Sequence, residues 1–175
     1  MQVKNYKEFL KNVTTLIFDY DGVFTDGKVI LTENGEQLRT ANVKDGYALQ
    51  LAVKKGYRIA VISGGTSEAI RHRMNGLKIY DVFIKVDHKI QVFHDYLSRH
   101  NIQPEEVLFM GDDIPDLQIM KEVGLVACPA DAAEEVKALA HYISHLGGGE
   151  GCVRDIVEQV LKLQGNWLND DAFIW

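Results

Sequence analysis

Short apolar runs alternate with segments of helical periodicity along most of this 175-residue chain. Each run has the length of a buried strand, and each helical segment repeats apolar residues at i, i+3 and i+4. The alternation predicts an α/β fold, a Rossmann-like doubly wound parallel sheet with helices on both faces. The predicted strands are Thr15–Phe18, Arg58–Ile62, residues 82–86, Val107–Met110, Leu125–Cys128 and, more weakly, Tyr142–Ile143.

One segment, residues 28–41, interrupts this rhythm directly after the first strand. Two short apolar runs flank an Asn34-Gly35 pair, the strongest local signal for a β-hairpin. Elsewhere, the intervals between the apolar runs hold only single helices, which leaves no room for an inserted domain. We therefore expect one domain over residues 1–175, with a hairpin flap and a C-terminal tail at about residues 165–175.

Composition excludes several function classes. The net charge is -6 without a basic run, which disfavours nucleic acid as a partner. No apolar stretch approaches the roughly 18 residues of a membrane span, so no membrane association is expected. The N-terminal segment lacks the apolar centre of a signal peptide, which favours a cytoplasmic protein. Two cysteines, Cys128 and Cys152, have no CxxC partner and are interpreted as buried or idle thiols.

Acidic residues follow two of the predicted strands. Asp19 and Asp21 come directly after the first strand, and Asp112, Asp113 and Asp116 come after the fourth. Ligands of open parallel sheets bind at the carboxyl ends of the strands. Carboxylates held this close repel one another unless a cation joins them, and Mg²⁺ prefers such oxygen ligands. For either cluster alone, turn and helix-capping aspartates remain the alternative.

Two further strand ends complete the pattern. Ser63, Gly64 and Gly65 place a hydroxyl and main-chain N–H groups at a helix start, which suits a phosphate. Lys89 follows the third strand and adds a cation. Each feature alone has an ordinary explanation, a capped glycine turn or a solvated lysine. Their convergence at one sheet edge favours a phosphate-processing site.

In this order, Asp-x-Asp-Gly at residues 19–22, Ser63, Lys89 and Gly-Asp-Asp-x-x-Asp at residues 111–116 resemble the four motifs of the haloacid dehalogenase superfamily of phosphatases. The resemblance extends further. The run through Thr25 to Gly27, the Lys-Asp-Gly at residues 44–46 and the Gly-Gly-x-Gly-x-x-Arg at residues 148–154 are similar to the 3-deoxy-D-manno-octulosonate 8-phosphate (KDO 8-phosphate) phosphatases, a capless subclass.

The resemblance implies a phosphomonoester hydrolase acting on a sugar-acid phosphate in lipopolysaccharide precursor synthesis. Asp19 would attack phosphorus to form an aspartyl-phosphate, and Asp21 would act as general acid and then base. Mg²⁺ would be held by Asp19, Asp112 and the main-chain carbonyl of Asp21. Ser63 and Lys89 would bind the phosphoryl oxygens.

The resemblance also implies supporting roles for neighbouring residues. Asp116 would orient Lys89 or a metal-bound water, with Asp113 as a further supporting residue. Arg73 falls where the family places a basic residue, and its guanidinium could pair with a sugar-acid carboxylate, although an ordinary solvated arginine is the alternative. The expected substrate-binding residues are Thr25, Gly64, Gly65 and Arg73.

Two other functions remain open from the sequence. One is a 9-phosphate phosphatase acting on a nine-carbon sialic-type acid. The other is a non-hydrolytic phosphoacceptor or binding module, disfavoured because Asp21 supplies an acid–base group that signalling receiver domains lack. The resemblance further implies a homotetramer in which flap hairpins pack together and each subunit's site is lined by its neighbour. The tail, with Trp167, Phe173 and Trp175, is too apolar for a free end, and a contact with a neighbouring site is a further hypothesis.

Overall fold

The structure is a computed structural model that describes residues 6–174. Trp175, the end of the predicted tail, and residues 1–5 of the N-terminal segment lie outside the described residues. The strands are β1 Thr15–Phe18, β2 Ile30–Leu31, β3 Gln37–Leu38, β4 Arg58–Ile62, β5 Asp81–Phe83, β6 Val107–Met110, β7 Leu125–Cys128 and β8 Tyr142–Ile143. The helices are α1 Tyr6–Leu10, α2 Val43–Lys54, α3 Glu68–Gly76, α4 Lys89–His100, α5 Leu117–Met120, α6 Glu134–Leu139 and α7 Cys152–Leu163.

Six strands form one parallel sheet in the order β5-β4-β1-β6-β7-β8. β1 lies between β4 and β6, and Phe18 pairs with Val61 on one side and with Met110 on the other. The strand order therefore reverses at β1, which is where open α/β sheets bind ligands. The predicted doubly wound α/β fold is confirmed.

Alternating side chains of β1 divide the core into two layers. Leu16 and Phe18 pack with α2 and α7 on one face of the sheet, and Ile17 packs with α4 and α5 on the other. All three side chains are fully buried. β1 is thus fixed from both sides, which gives the residues that follow it a rigid support.

The third strand of the sequence prediction differs from the structure. Residues 82–86 were expected to form it, whereas β5 ends at Phe83. Lys85 adopts a left-handed conformation with φ 60°, and its N–H donates to the carbonyl of Gly65 at 2.9 Å. The chain thereby leaves the β4 ladder and bonds to the loop after β4, which carries it to Lys89.

The hairpin flap is confirmed. Ile30 pairs with Leu38 and Leu31 pairs with Gln37, and the turn closes through the Thr32 N–H to the Glu36 carbonyl at 3.0 Å. Both flap strands are exposed on the isolated chain. The flap therefore projects from the end of β1 without a core of its own.

Residues 165–174 of the predicted tail pack against the chain's own α2, and a contact of the tail with a neighbouring site stays a prediction. The Tyr47 hydroxyl donates to the Ala172 carbonyl at 2.6 Å, and Lys55 forms an ion pair with Asp171 at 2.7 Å. Trp167 stacks edge-on against Tyr47.

Within the described residues, we find no helix that is both long and apolar enough to cross a membrane.

Candidate active site

A cavity of about 890 Å³ opens at the carboxyl ends of β1, β4 and β6. Asp19 and Asp21 enter it from the end of β1, Ser63 from β4 and Asp112 from β6. Lys89 enters as the first residue of α4. Because these three strands are neighbours in the sheet, residues far apart in sequence meet at one edge.

A buried lysine links two buried carboxylates on the cavity floor. The Lys89 Nζ lies 2.9 Å from Asp19 Oδ1 and 2.7 Å from Asp116 Oδ1. Burial alone would lower the pKa of Lys89, but the two carboxylates outweigh it and the pKa is raised. Lys89 therefore stays charged and holds Asp19 in a fixed orientation.

Negative charge is concentrated around Asp112. Burial, together with the nearby Asp19 and Asp116, raises the pKa of Asp112 to about 7. Burial and the charge of Asp116 raise the pKa of Asp19 to about 6, against the opposing effect of Lys89. Carboxylates in this situation are stabilised by a bound cation.

The donor set fits a hard divalent cation. Among the described residues, Asp19, Asp112 and Asp116 each offer an oxygen within 4.8 Å of the others. Asp112 Oδ1 is buried without a hydrogen-bond partner. Asp116 is already engaged, since Oδ1 contacts Lys89 and Oδ2 accepts from the Asp112 N–H at 3.1 Å. Asp19 and Asp112 thus remain as side-chain ligands.

Glycine is required at position 22 for this arrangement. A Cβ there would lie 2.0 Å from Asp112 Oδ2, and the residue has φ 83°. Only glycine combines the positive φ with the space that Asp112 occupies. The Gly of Asp-x-Asp-Gly therefore allows the β1 and β6 loops to approach each other.

The loop after β4 forms a polar wall of the cavity. Ser63 is buried, and its Oγ accepts from the Gly65 N–H at 3.0 Å. Gly64 and Gly65 also line the cavity. A hydroxyl beside side-chain-free backbone gives a phosphate access to both kinds of donor.

Sequence reasoning missed Arg39, which contacts the predicted acid–base residue. Its Nε donates to Asp21 Oδ1 at 2.7 Å across 18 residues of sequence. The only signal in the sequence is a basic residue directly after the second hairpin run. That position does not reveal the angle at which the flap returns to the site.

Thr25 and Arg73, two of the expected substrate-binding residues, do not line the cavity. Thr25 is fully buried, and its Oγ1 accepts from the N–H groups of Gly22 and Gly27 at 3.2 and 3.3 Å. The Arg73 guanidinium donates to the Asn42 carbonyl at 3.4 Å. Neither residue lines the cavity in the described chain, and a substrate contact by either stays a prediction.

Asp113, the further supporting residue, is exposed at the cavity rim. Its carboxylate accepts from the Ile114 N–H at 2.8 Å and begins the short 3₁₀ helix Ile114–Asp116. This helix brings Asp116 back beneath the cavity. Asp113 therefore shapes the loop that holds Asp116.

The two motifs outside the catalytic set contact each other, and the second of them packs against the loop after β1. A Cβ on Gly148 would lie 2.0 Å from the Gly22 carbonyl, so that position must be small. Asp45 Oδ1 accepts from the Arg154 N–H at 2.7 Å, which caps the start of α7. Burial raises the pKa of Asp45 to about 6.

A doubly wound sheet whose switch point brings together acidic side chains, a buried lysine and a hydroxyl is typical of phosphoryl-transfer enzymes. The site lies open beneath a hairpin instead of a cap. A sequence profile of the haloacid dehalogenase-like hydrolases matches residues 66–146 of the chain.

Similarity to known proteins covers most of the chain. The 3-deoxy-D-manno-octulosonate 8-phosphate phosphatase of Salmonella typhi is 36% identical over 155 residues, which span 89% of this chain and 82% of that protein. The chain belongs to the family of haloacid dehalogenase-like hydrolases that contains these phosphatases.

Solved structures agree with this assignment. The crystal structure of the 3-deoxy-D-manno-octulosonate 8-phosphate phosphatase of Yersinia pestis has a TM-score of 0.90 at 32% identity, covering 93% of this chain and 88% of that chain. The Moraxella catarrhalis enzyme, in complex with magnesium ion, phosphate ion and KDO, has a TM-score of 0.90 at 30% identity, covering 97% and 95%.

Proposed function

We propose that the chain is a Mg²⁺-dependent phosphatase that hydrolyses KDO 8-phosphate to KDO and phosphate. The observation that carries the proposal is the placement of Asp19 beside Lys89 and the Asp112 carboxylate, in the same cavity as Asp21. This set provides a nucleophile, a fixed cation, a metal ligand and an acid–base group.

The reaction proceeds in two displacements at phosphorus. An oxygen of Asp19 attacks the phosphoryl group, the phosphorus–oxygen bond to the sugar breaks, and Asp21 gives its proton to the departing alkoxide. Asp21 then takes a proton from a water molecule that attacks the aspartyl-phosphate. Phosphate leaves, and Asp19 and Asp21 return to their starting states.

The side chains of Asp19 and Asp112 and the main-chain carbonyl of Asp21 would hold the Mg²⁺ ion. When bound, the ion neutralises charge that would otherwise repel the phosphate from the carboxylates. Ser63 and Lys89 bind phosphoryl oxygens, and Asp116 keeps Lys89 oriented through their 2.7 Å contact.

The sugar acid is the finer part of the proposal. The cavity of about 890 Å³ exceeds what a phosphate needs and leaves room for a sugar. Gly64 and Gly65 provide backbone donors within the chain. Arg73 is proposed to bind the carboxylate in an assembly, because in the isolated chain it bonds to Asn42.

We also propose a homotetramer, because the flap exposes apolar side chains that a partner would cover. Leu31 is 73% exposed and Ile30 is 58% exposed. Contiguous exposed apolar surface of this kind is typical of an association site. A flap covered by neighbouring subunits would supply the lid that a capless site lacks.

The cellular role proposed is a step of lipopolysaccharide precursor synthesis in the cytoplasm. A multiply charged sugar-acid phosphate does not cross a bilayer unaided, because charge is costly in hydrocarbon. Enzyme and substrate must therefore share a compartment.

The test is phosphate release from KDO 8-phosphate, a nine-carbon sialic-type acid 9-phosphate and a neutral sugar phosphate, each with and without Mg²⁺. The expected result is the highest kcat/KM on KDO 8-phosphate and none of this activity in Asp19→Asn. Asp95→Asn, an exposed aspartate on α4, is the matched control for the preparation. Preference for the nine-carbon acid would identify the alternative phosphatase, and absence of turnover would favour the binding module.

A further inference from the structure

Arg39 is a flap residue that contacts Asp21 in the cavity. It lies directly after β3, and its guanidinium is fixed at two points. Nε donates to Asp21 Oδ1 at 2.7 Å, and Nη1 donates to the Gln37 carbonyl at 3.2 Å. Its side chain is 16% exposed, whereas the adjacent Leu38 is 49% exposed. Arg39 is therefore an ordered residue of the site, unlike the solvent-exposed residues of the flap.

The two oxygens of the Asp21 carboxyl group have different surroundings. Oδ1 accepts from Arg39 and also from the Thr25 hydroxyl at 3.4 Å. Oδ2 faces the loop after β4, since a Cβ on Gly65 would lie 3.2 Å from it. Gly65 lines the cavity beside Ser63, where the phosphate is expected. Oδ1 is thus held by hydrogen bonds, whereas Oδ2 faces the loop at which the phosphate is expected to bind.

We infer that Arg39 is a positioning residue that makes Oδ2 of Asp21 the atom that exchanges protons in the reaction. The inference rests on the proposed phosphatase function. A guanidinium only donates hydrogen bonds, so the oxygen it contacts does not carry the carboxyl proton. Oδ2–H gives its proton to the departing alkoxide, and the same Oδ2 later accepts a proton from water. Arg39 keeps its own protons throughout.

The flap thereby takes part in catalysis as well as covering the site. The contact joins the base of the hairpin to the residue that protonates the leaving group. A displaced flap would leave Asp21 free to rotate, and a misdirected acid costs rate without weakening substrate binding. We therefore expect the rate of the first displacement to fall. The fall should be large for a leaving group that must be protonated and small for one that departs without a proton.

Three substrates separate this role from its alternatives. KDO 8-phosphate has an alkoxide leaving group and a carboxylate, and a neutral sugar phosphate has the alkoxide alone. The third, p-nitrophenyl phosphate, has a stable leaving group that departs with little protonation. First-turnover release of each leaving group isolates the step in which Asp21 acts as acid.

The variants are Arg39→Gln and Arg39→Lys, with Lys28→Gln as the matched control. Lys28 lies in the same flap, is 84% exposed and pairs with Asp26 instead of Asp21. For Arg39→Gln, we expect first-turnover rates on both alkyl phosphates to fall by on the order of 10²-fold, with KM nearly unchanged. Release of p-nitrophenolate should change by less than about threefold, and Arg39→Lys should restore part of the loss.

Other outcomes overturn the inference. An equal loss on all three substrates would mean that Arg39 only supports the flap. A loss confined to KDO 8-phosphate and expressed in KM would mean that it binds the sugar carboxylate. Unchanged rates would mean that the contact has no role. A wild-type protein inactive on all three substrates would overturn the proposed function, and the inference with it.

Discussion

The catalytic floor and the flap differ in how completely one chain builds them. On the floor, Asp19, Lys89 and Asp116 are at most 8% exposed, and each has its partners within the same chain. In the flap, two-residue strands carry exposed apolar side chains. Two-stranded hairpins of this size are marginal by themselves. The floor side chains are therefore paired within one chain, whereas the flap leaves apolar side chains uncovered.

The difference follows from where each region lies relative to the core. The floor sits at the ends of strands buried on both faces, so its polar groups must pair with one another. The flap leaves β1 after Gly27 and meets the floor again through Arg39. Selectivity for the sugar acid is expected to depend on the flap as a whole. Phosphoryl transfer is expected to depend on the floor and on the contact of Arg39 with Asp21.

Removal of the metal is expected to have the largest effect. In excess chelator, the floor carboxylates repel an incoming phosphate, and we expect turnover to fall by on the order of 10³-fold or more. Ca²⁺ should inhibit, because it takes more oxygen ligands at longer distances and misaligns Asp19. Phosphate release with chelator, then with Mg²⁺ or Ca²⁺ restored, measures this. Full activity in excess chelator would show that the reaction needs no cation at the floor.

Lys89→Met tests whether the floor depends on its internal pairing. The variant leaves Asp19 and Asp116 as facing buried carboxylates, so we expect the free energy of unfolding at pH 8 to fall by about 3–5 kcal/mol. Denaturant unfolding without metal measures the change. Lys162→Met, which breaks a half-exposed pair with Glu158 on α7, should cost less than about 1 kcal/mol. Similar losses in the two variants would show that the ion pairs of the floor contribute no more to stability than a surface ion pair.

Leu31→Glu tests the flap in the opposite way. A charge on the exposed hairpin should prevent association and lower the preference for KDO 8-phosphate over a neutral sugar phosphate by about 10- to 100-fold. Turnover of p-nitrophenyl phosphate should change little, because the floor is intact. Light scattering and kcat/KM on each substrate measure this. Tyr80→Glu, an exposed position at the amino end of β5, is the control. A monomeric variant that keeps full selectivity would show that association through the flap does not determine substrate preference.

Asp45→Asn gives the smallest expected effect and probes the contact between α2 and the start of α7. Burial raises the pKa of Asp45 from 3.8 to about 6, so the folded chain binds this proton more tightly than the unfolded chain. Its contribution to stability therefore falls as the pH rises from about 4 to about 6. Relative to Asp45→Asn, the wild type should lose on the order of 1–2 kcal/mol over that window. Parallel unfolding curves for the two proteins across pH would contradict the burial effect, with the exposed Asp95→Asn as control.

The sequence predicted the strands of the central sheet because buried parallel strands are continuous apolar runs. Thr15–Phe18, Val107–Met110 and Leu125–Cys128 have the predicted bounds. The strand expected at residues 82–86 ends early, because Lys85 bonds to the loop after β4. Such a bond depends on where that loop lies in space, which apolar periodicity does not record.

The floor was predictable for a related reason, since topology brings adjacent strand ends together. The contact between Arg39 and Asp21 was not, because it depends on the angle of the hairpin over the site. Thr25 illustrates the same limit. The resemblance implied a substrate contact for Thr25, and the structure adds that its Oγ1 accepts from the N–H groups of Gly22 and Gly27.

The central claim is that Asp19 is the nucleophile and Asp21 the acid–base group. The Asp21→Asn variant with p-nitrophenyl phosphate tests both, because the first displacement needs little acid, whereas the second needs the missing base. After acid quench and proteolysis, mass spectrometry should find a phosphoryl group on the peptide that contains Asp19, accumulating during the first turnover. Phosphate on another aspartate, or steady turnover without a covalent species, would contradict the account.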